Sequence, residues 1–430
     1  MEPQKNHHRP KSSLPVEVIL LIIEHLIPDS AGPRPILPAI SPITKALLAF
    51  TAVSRATHLT ASRLLWQNCL YIDSRERLRA LRESVSQTSV ITGCTPWEAY
   101  TPTRIFLCPI SLTEDITGSG YSPVDDEASS IDRLDTTPDG EPVPLGFETT
   151  ADGNEQSLRN RPDDPDDPWL VPESPMYSDL QNLSMVEDVR KVLFTLAPVL
   201  KTLVVDMPLR NLYREDDHHG IRKILREGFE ALVDIEEIVS VRDELYLDST
   251  GGFEDPQVWI RWPKLKRMAL YNVSADEELW QNMLLCPQLE TAIFTRADDV
   301  EYDEYLINIK REWSRAWVTG TSRAATTNSG QGRYPGPEIT IAFCNTAPEL
   351  PNFDSYVSSW HTMDPENKIC VLTVPTDTIY FGQTPRDHPW QNDPIGVSQE
   401  WVRNRALTGT LWEDVKRDRL FMSSKSERDI

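Results

Sequence analysis

Long hydrophobic runs are missing from this 430-residue chain. Its most apolar stretch, LPVEVILLIIEHLIP from Leu14 to Pro28, is unbroken only from Val18 to Ile23, between Glu17 and Glu24. A membrane-spanning helix needs about 20 largely apolar residues, so this stretch predicts no span. It predicts no secretion signal either, because Pro28, Asp29 and a proline-rich loop follow where a longer apolar centre and a small-residue cleavage site are required. Positive charge is also short: 43 Lys and Arg face 66 Asp and Glu, a formal charge of −23. Phosphate contacts need clustered Lys and Arg, which argues against nonspecific nucleic-acid binding and an anionic membrane surface. The six cysteines, Cys69, Cys94, Cys108, Cys286, Cys344 and Cys370, form no C-x-x-C pair and no metal-ligand spacing. They read as reduced, mostly buried thiols of a cytosolic or nuclear protein.

Catalytic signatures are missing as well. There is no G-x-S-x-G elbow, no phosphate-cradling glycine loop and no G-x-G-x-x-G after a strand. The most suggestive cluster is REDDHHG, Arg214 to Gly220, where His218 and His219 adjoin Asp216 and Asp217. Adjacent histidines point different ways on a helix or strand, and helical metal sites prefer a spacing of i, i+4. A solvated turn capping a helix at Ile221 is the simpler reading. Acidic pairs such as Asp298 and Asp299 follow from composition. The tryptophans of VWIRWP and REWSRAW could line a sugar or peptide groove, but such residues are more often packing. The sequence predicts no metal, no cofactor and no catalytic residue.

What is present is organised in blocks. The length suits two or three domains. Residues 1–11 read as a disordered N-terminus. Residues 12–73 read as a small helical unit with helices over Pro15–Ile27, Ile43–Ser54 and Thr57–Asn68, separated first by the proline-rich PDSAGPRPILPAISP. Residues 74–112 read as a connector helix and first strand. Residues 113–180 are rich in Asp, Glu, Pro and Ser and carry much of the net charge, so the sequence predicts disorder there.

Periodicity returns over 181–385. Met185, Val189, Val192, Leu193 and Leu196 share a helical face. One phrase then recurs: PVLKTLVV from Pro198, PKLKRMAL from Pro263 and PQLETAIF from Pro287, with a weaker copy from Ile235 to Ser240. Helical patterns lie between, through Ile221, Leu225, Phe229 and Leu232, and through Leu279, Trp280, Met283 and Leu284. The first apolar positions, 200, 235, 265 and 289, are 35, 30 and 24 residues apart. The last step lies inside the range of about 20–29 residues of leucine-rich repeats, and the others are longer. Stacked strand-helix units give a curved solenoid with a parallel sheet on one side and helices on the other. The position where leucine-rich repeats carry Asn or Cys holds Pro208, Asp243, Val273 and Ala297, so the repeats are degenerate; an ordinary α/β domain with repeated strand composition stays open. Beyond them, Tyr302, Tyr305, Leu306, Ile309, Trp313 and Trp317 predict an amphipathic helix. EITIAFC and KICVLTV predict strands. Residues 386–430 read as a polar tail, partly helical over Val397–Phe421, with Thr410 and Glu413 as a capping-box pair.

LPVEVILLIIEHL, followed by LLAFTAVSRATHLTASRLLW, resembles an F-box, the helical module that docks on the Skp-type adaptor of cullin-RING ubiquitin ligases. Leu14 and Pro15 match its Leu-Pro opening, Glu17 its acidic position, and Val18, Ile19, Ile22, Ile23 and Leu26 its apolar helix. Leu47, Leu48, Val53, Ser54 and Arg55 fit the second helix, and Leu65 with Trp66 the closing Leu-Trp. The sequence departs from the pattern in the loop from Pro28 to Pro42, expected to bulge away from the partner, and in Thr57, where many F-boxes carry tryptophan. With strand-helix units downstream, the whole is similar to fungal F-box proteins with leucine-rich-like repeats.

The resemblance implies a small three-helix F-box followed by an irregular leucine-rich-repeat-like solenoid of mixed α/β class. It implies a substrate-recognition subunit that does no chemistry itself and presents a protein substrate on the repeats. Adaptor contacts fall on Leu14, Pro15, Ile19, Ile22, Ile23, Leu26, Leu48, Val53, Leu65 and Trp66. The physical reading agrees: a helix apolar on nearly all faces needs cover on two sides, and a unit of about 60 residues supplies one. Alternatives are that this helix packs on the chain's own second domain, that the F-box serves a scaffold without ligase function, or that an enzyme of unknown type lies after Leu180.

Overall fold

The structure is a computed structural model describing residues 14–27, 35–110, 180–214, 217–245, 247–249, 255–302, 305–322, 334, 336–376 and 393–416. Residues 1–11 and, except for Leu180, the acidic insertion predicted over 113–180 lie outside the described residues.

The N-terminal module is built from α1 (Val16–Glu24), α2 (Pro42–Thr51) and α3 (Arg55–Asn68). Pro15 is extended, and its carbonyl accepts the Val18 and Ile19 amides, so its ring occupies a position where a helix has no N–H bond to lose. α1 stops at Glu24, three residues before the predicted end, and Leu26 and Ile27 follow in a turn. α3 opens on a reciprocal capping box: Thr57 N–H donates to Ser54 Oγ at 3.2 Å and Ser54 N–H to Thr57 Oγ1 at 3.0 Å. Thr57 is thus a buried capping residue in this module. Ile23, Ile27, Leu47, Ala61 and Leu64 form the module's core.

The body of the protein is a sheet of eight strands, all parallel and paired in chain order. These are β1 (Tyr71–Ile72), β2 (Arg104–Leu107), β3 (Thr202–Val205), β4 (Glu237–Ser240), β5 (Arg267–Tyr271), β6 (Thr291–Thr295), β9 (Ile339–Asn345) and β10 (Ile369–Pro375). β7 (Glu301–Tyr302) and β8 (Tyr305–Leu306) make a separate antiparallel hairpin. When parallel strands follow chain order and crossovers are right-handed, the connections fall on one face. They carry α4 (Arg75–Ser86), α5 (Pro96–Tyr100), α6 (Leu183–Leu196), α7 (Ile221–Glu230), α8 (Glu277–Met283), α9 (Ile309–Ser322) and α10 (Val357–Met363).

The recurring phrases fall into register: Leu203, Ile238, Met268 and Ala292 stand side by side. Residues just ahead of them alternate in sign, with Lys201 Nζ 3.4 Å from Glu236 and Lys266 Nζ 2.8 Å from the same carboxylate. Asn272 and Arg296 leave β5 and β6 in the left-handed region, at φ 55° and 52°. An aromatic chain runs beneath the connecting helices from Trp280 to Phe294, Phe343, Phe353 and Trp360.

The opposite face is not bare. Side chains alternate along a strand, so Phe106, Val204, Val239, Ala269, Ile293 and Ala342 form a row pointing away from that aromatic chain. α11 (Pro394–Thr408) crosses this face against β3, β6 and β9, and a further helical stretch at 411–416 follows Gly409 (φ 81°). Arg403 lies 5.3 Å over the Phe106 ring, and Arg267 lies 5.6 Å over Trp412. The two-layer expectation is therefore corrected to three layers, because Trp401, Val402, Leu411, Trp412 and Val415 bury themselves on the sheet. The C-terminal helix expected over 397–421 is divided at Gly409, and 417–421 lie outside the described residues.

The helix expected from Tyr302 starts later. Asn308 caps it, its Oδ1 accepting the Arg311 amide at 3.1 Å, while Tyr302 and Tyr305 pair in the hairpin. The chain is thus of mixed α/β class with a parallel sheet. Among the described residues no helix is long and apolar enough to cross a membrane.

Candidate partner-docking surface

α1 carries apolar residues on two sides, and the fold uses only one. Ile19 and Ile23 of α1, with Leu26 and Ile27 of the turn after it, face α2 and α3; Ile23 is fully buried and Ile19 and Leu26 pack half-buried against the core. The second stripe, Leu14, Val18, Leu21 and Ile22, is spaced i, i+4, i+7 and i+8 and faces away, with Leu14 59 % and Leu21 58 % exposed. Pro15 and Val16 are also exposed. The Glu24–Arg63 ion pair joins α1 to α3 at the surface, and the burial of Ile23 sets which stripe points inward.

The predicted contact residues divide accordingly. Leu14, Pro15, Ile22, Leu48 and Val53 are exposed. Ile19, Leu26, Leu65 and Trp66 are half-buried, and the first three pack on the module's core. Ile23 belongs to that core outright and has no surface to offer. Val16, Val18 and Leu21 are exposed as well and stand outside the predicted set, although the spacing of Leu14, Val18 and Leu21 marks the latter two as one stripe. Beside the module core, burial pushes the Cys69 thiol pKa up, opposed by the Thr44 hydroxyl that donates to it at 3.5 Å.

Of the REDDHHG cluster, residues 215 and 216 lie outside the described residues. Asp217 caps α7, accepting the Ile221 amide at 2.5 Å and the Arg222 amide at 3.0 Å, while His218 and His219 stay exposed in the turn. Among the described residues no group of three or more His, Cys, Asp or Glu is placed to hold a metal. A cleft of about 710 Å³ between α4 and α6 is lined by Arg82, Arg190, Lys191 and Phe194. Its arginines are already engaged, Arg82 with Asp188 at 2.9 Å and Arg190 with Glu187 at 2.7 Å and Glu227 at 2.8 Å. Of the tryptophans in VWIRWP and REWSRAW, Trp259, Trp262 and Trp313 are buried packing residues.

Comparison of the chain with protein-family models, with curated proteins and with solved structures finds no match.

Proposed function

We propose that the chain is the substrate-recognition subunit of a Skp-cullin-F-box ubiquitin ligase, with α1 to α3 as the adaptor-docking F-box. The observation that carries this reading is the second apolar stripe on α1. Leu14, Val18, Leu21 and Ile22 stand in water on a helix whose other stripe already serves the core. Fully burying one such side chain is worth about 1.5–3 kcal/mol, so a partner covering the half-exposed stripe gains on the order of 1 kcal/mol per residue. Leu48 and Val53 add exposed apolar residues on α2 and ahead of α3.

The ordered parallel strands with phrases in register support leucine-rich-like repeats as the substrate-bearing part. With α11 lying over the second face of the sheet, a substrate meets the strand-end loops or the outer helices. The chain does no chemistry in this reading; it raises the effective concentration of substrate lysines near a charged ubiquitin-conjugating enzyme.

Co-purification with the Skp-type adaptor tests the proposal, wild type against Leu14→Ala with Pro15→Ala. Capture by the wild type and loss in the double variant support it. A wild type that brings down no adaptor, or a variant that binds equally well, sinks it. Stabilisation of bound proteins on deleting residues 14–66 then separates a ligase subunit from a scaffold.

A further inference from the structure

The docking reading leaves the proline-rich junction between α1 and α2 without a role. Its second half does not swing free. Ile36 is fully buried, its N–H donates to the Leu407 carbonyl at the end of α11 at 2.8 Å, and the Leu37 N–H donates to the Asn68 carbonyl at the end of α3 at 2.7 Å. α3 is joined to β1 by two residues, Cys69 and Leu70. From the other side, Arg403 of α11 reaches the β1 edge, with Nη2 donating to the Tyr71 hydroxyl at 3.2 Å and Nε lying 3.3 Å from fully buried Asp206. Arg242 holds the same carboxylate at 2.7 Å and reaches Gln399 of α11 at 3.0 Å.

We propose that the junction and α11 form a brace that fixes the helical module's angle to the sheet. The covalent link through Cys69 and Leu70 and the packing of α3 on α5 and β2, where Gln67 Nε2 donates to the Tyr100 carbonyl at 3.3 Å, hold the module from the side of the connecting helices. The brace holds it from the side of α11. The Leu37–Asn68 bond ties the junction to α3, the Ile36–Leu407 bond ties it to α11, and Arg403 ties α11 to the β1 edge. One path of contacts therefore runs from the module to the second face of the sheet and closes a loop with the covalent link. The insertion that lengthens this junction thus seats a buried isoleucine against the end of α11. The brace stands on these contacts alone. Its use, holding two bound partners at a set separation, rests on the docking function proposed above.

The test uses the full chain with spin labels on unnatural amino acids at exposed Glu17 and Leu285. The wild type is expected to give one narrow distance distribution. Ile36→Ala with Arg403→Ala is expected to broaden it at least twofold while the circular dichroism of the sheet and its cooperative melting persist. An unchanged width overturns the brace, and so does a variant that loses the cooperative transition, since the two residues then serve general stability. Adaptor capture is measured on both chains in parallel. An adaptor that binds neither chain rejects the docking function, and the distance widths still decide the brace.

Discussion

Ile23 and Leu21 sit two positions apart on α1 and do opposite work. Ile23 is 0 % exposed at the centre of the module, so Ile23→Ala leaves a cavity and is expected to cost about 2–4 kcal/mol in urea unfolding. Leu21→Asp adds charge to a side chain already in water; stability should stay within about 0.5 kcal/mol, while under the docking proposal adaptor capture falls more than tenfold. An Ile23→Ala chain as stable as the wild type contradicts the burial. A second residue-level case is Asp243, fully buried, whose carboxyl is pushed up to about 7 by burial and then by neighbouring Glu244. A raised folded pKa means the folded state holds the proton between the unfolded value near 4 and about 7. The stability this contributes is complete below pH 4 and lost as pH rises to 7. Asp243→Asn keeps an acceptor for the Leu245 amide and mimics the protonated form. It should stabilise the protein by roughly 2–4 kcal/mol at pH 8 and change little at pH 3.5. Equal urea midpoints at pH 8 would reject this account.

At the scale of elements, the recurring Pro-x-Leu phrases announced their strands because a buried parallel strand reads as a short apolar run of its own, bounded by prolines. The same phrases aligned in register, since each places its apolar residues at the same distance from its proline. The outward stripe of α1 was less legible: with apolar residues on both sides, composition says that two covers are needed but not which residue faces which. α11 was missed as a third layer because its polar residues do the contacting too, through Arg403, Gln399 and Ser398, leaving no clean 3.6-residue apolar stripe. The start of α9 was misread because hairpin tyrosines happened to continue its helical spacing. That helix is pinned by a buried ion pair: Lys310 Nζ lies 2.9 Å from Asp364, whose oxygens also accept the Lys368 and Ile369 amides at 2.9 and 2.8 Å ahead of β10. Removing one partner of a buried pair strands the other, so Lys310→Met should cost roughly 3 kcal/mol. A thermal midpoint equal to that of the wild type would show the pair to be dispensable.

The whole molecule is closed by its last described segment. Trp401, Val402, Leu411, Trp412 and Val415 are buried against a sheet face whose Val204, Val239, Ala269 and Ile293 are buried in turn. At about 1.5–3 kcal/mol per large buried side chain, those five contribute roughly 10 kcal/mol before the entropy cost of ordering the segment. Trp401 and Val402 of α11 and Leu411, Trp412 and Val415 of the stretch at 411–416 share this burial, so the two helical pieces together belong to the core of the parallel sheet. Deleting residues 393–430 is therefore expected to abolish cooperative unfolding and leave a state that binds a hydrophobic dye, whereas deleting 417–430 leaves every buried residue of α11 and of the helical stretch at 411–416 in place. Hydrogen exchange gives the same discrimination without truncation. The amides of Trp401 and Val402 should exchange with the slow set of β3 to β6, and an independent, faster opening of α11 would show the third layer to be detachable.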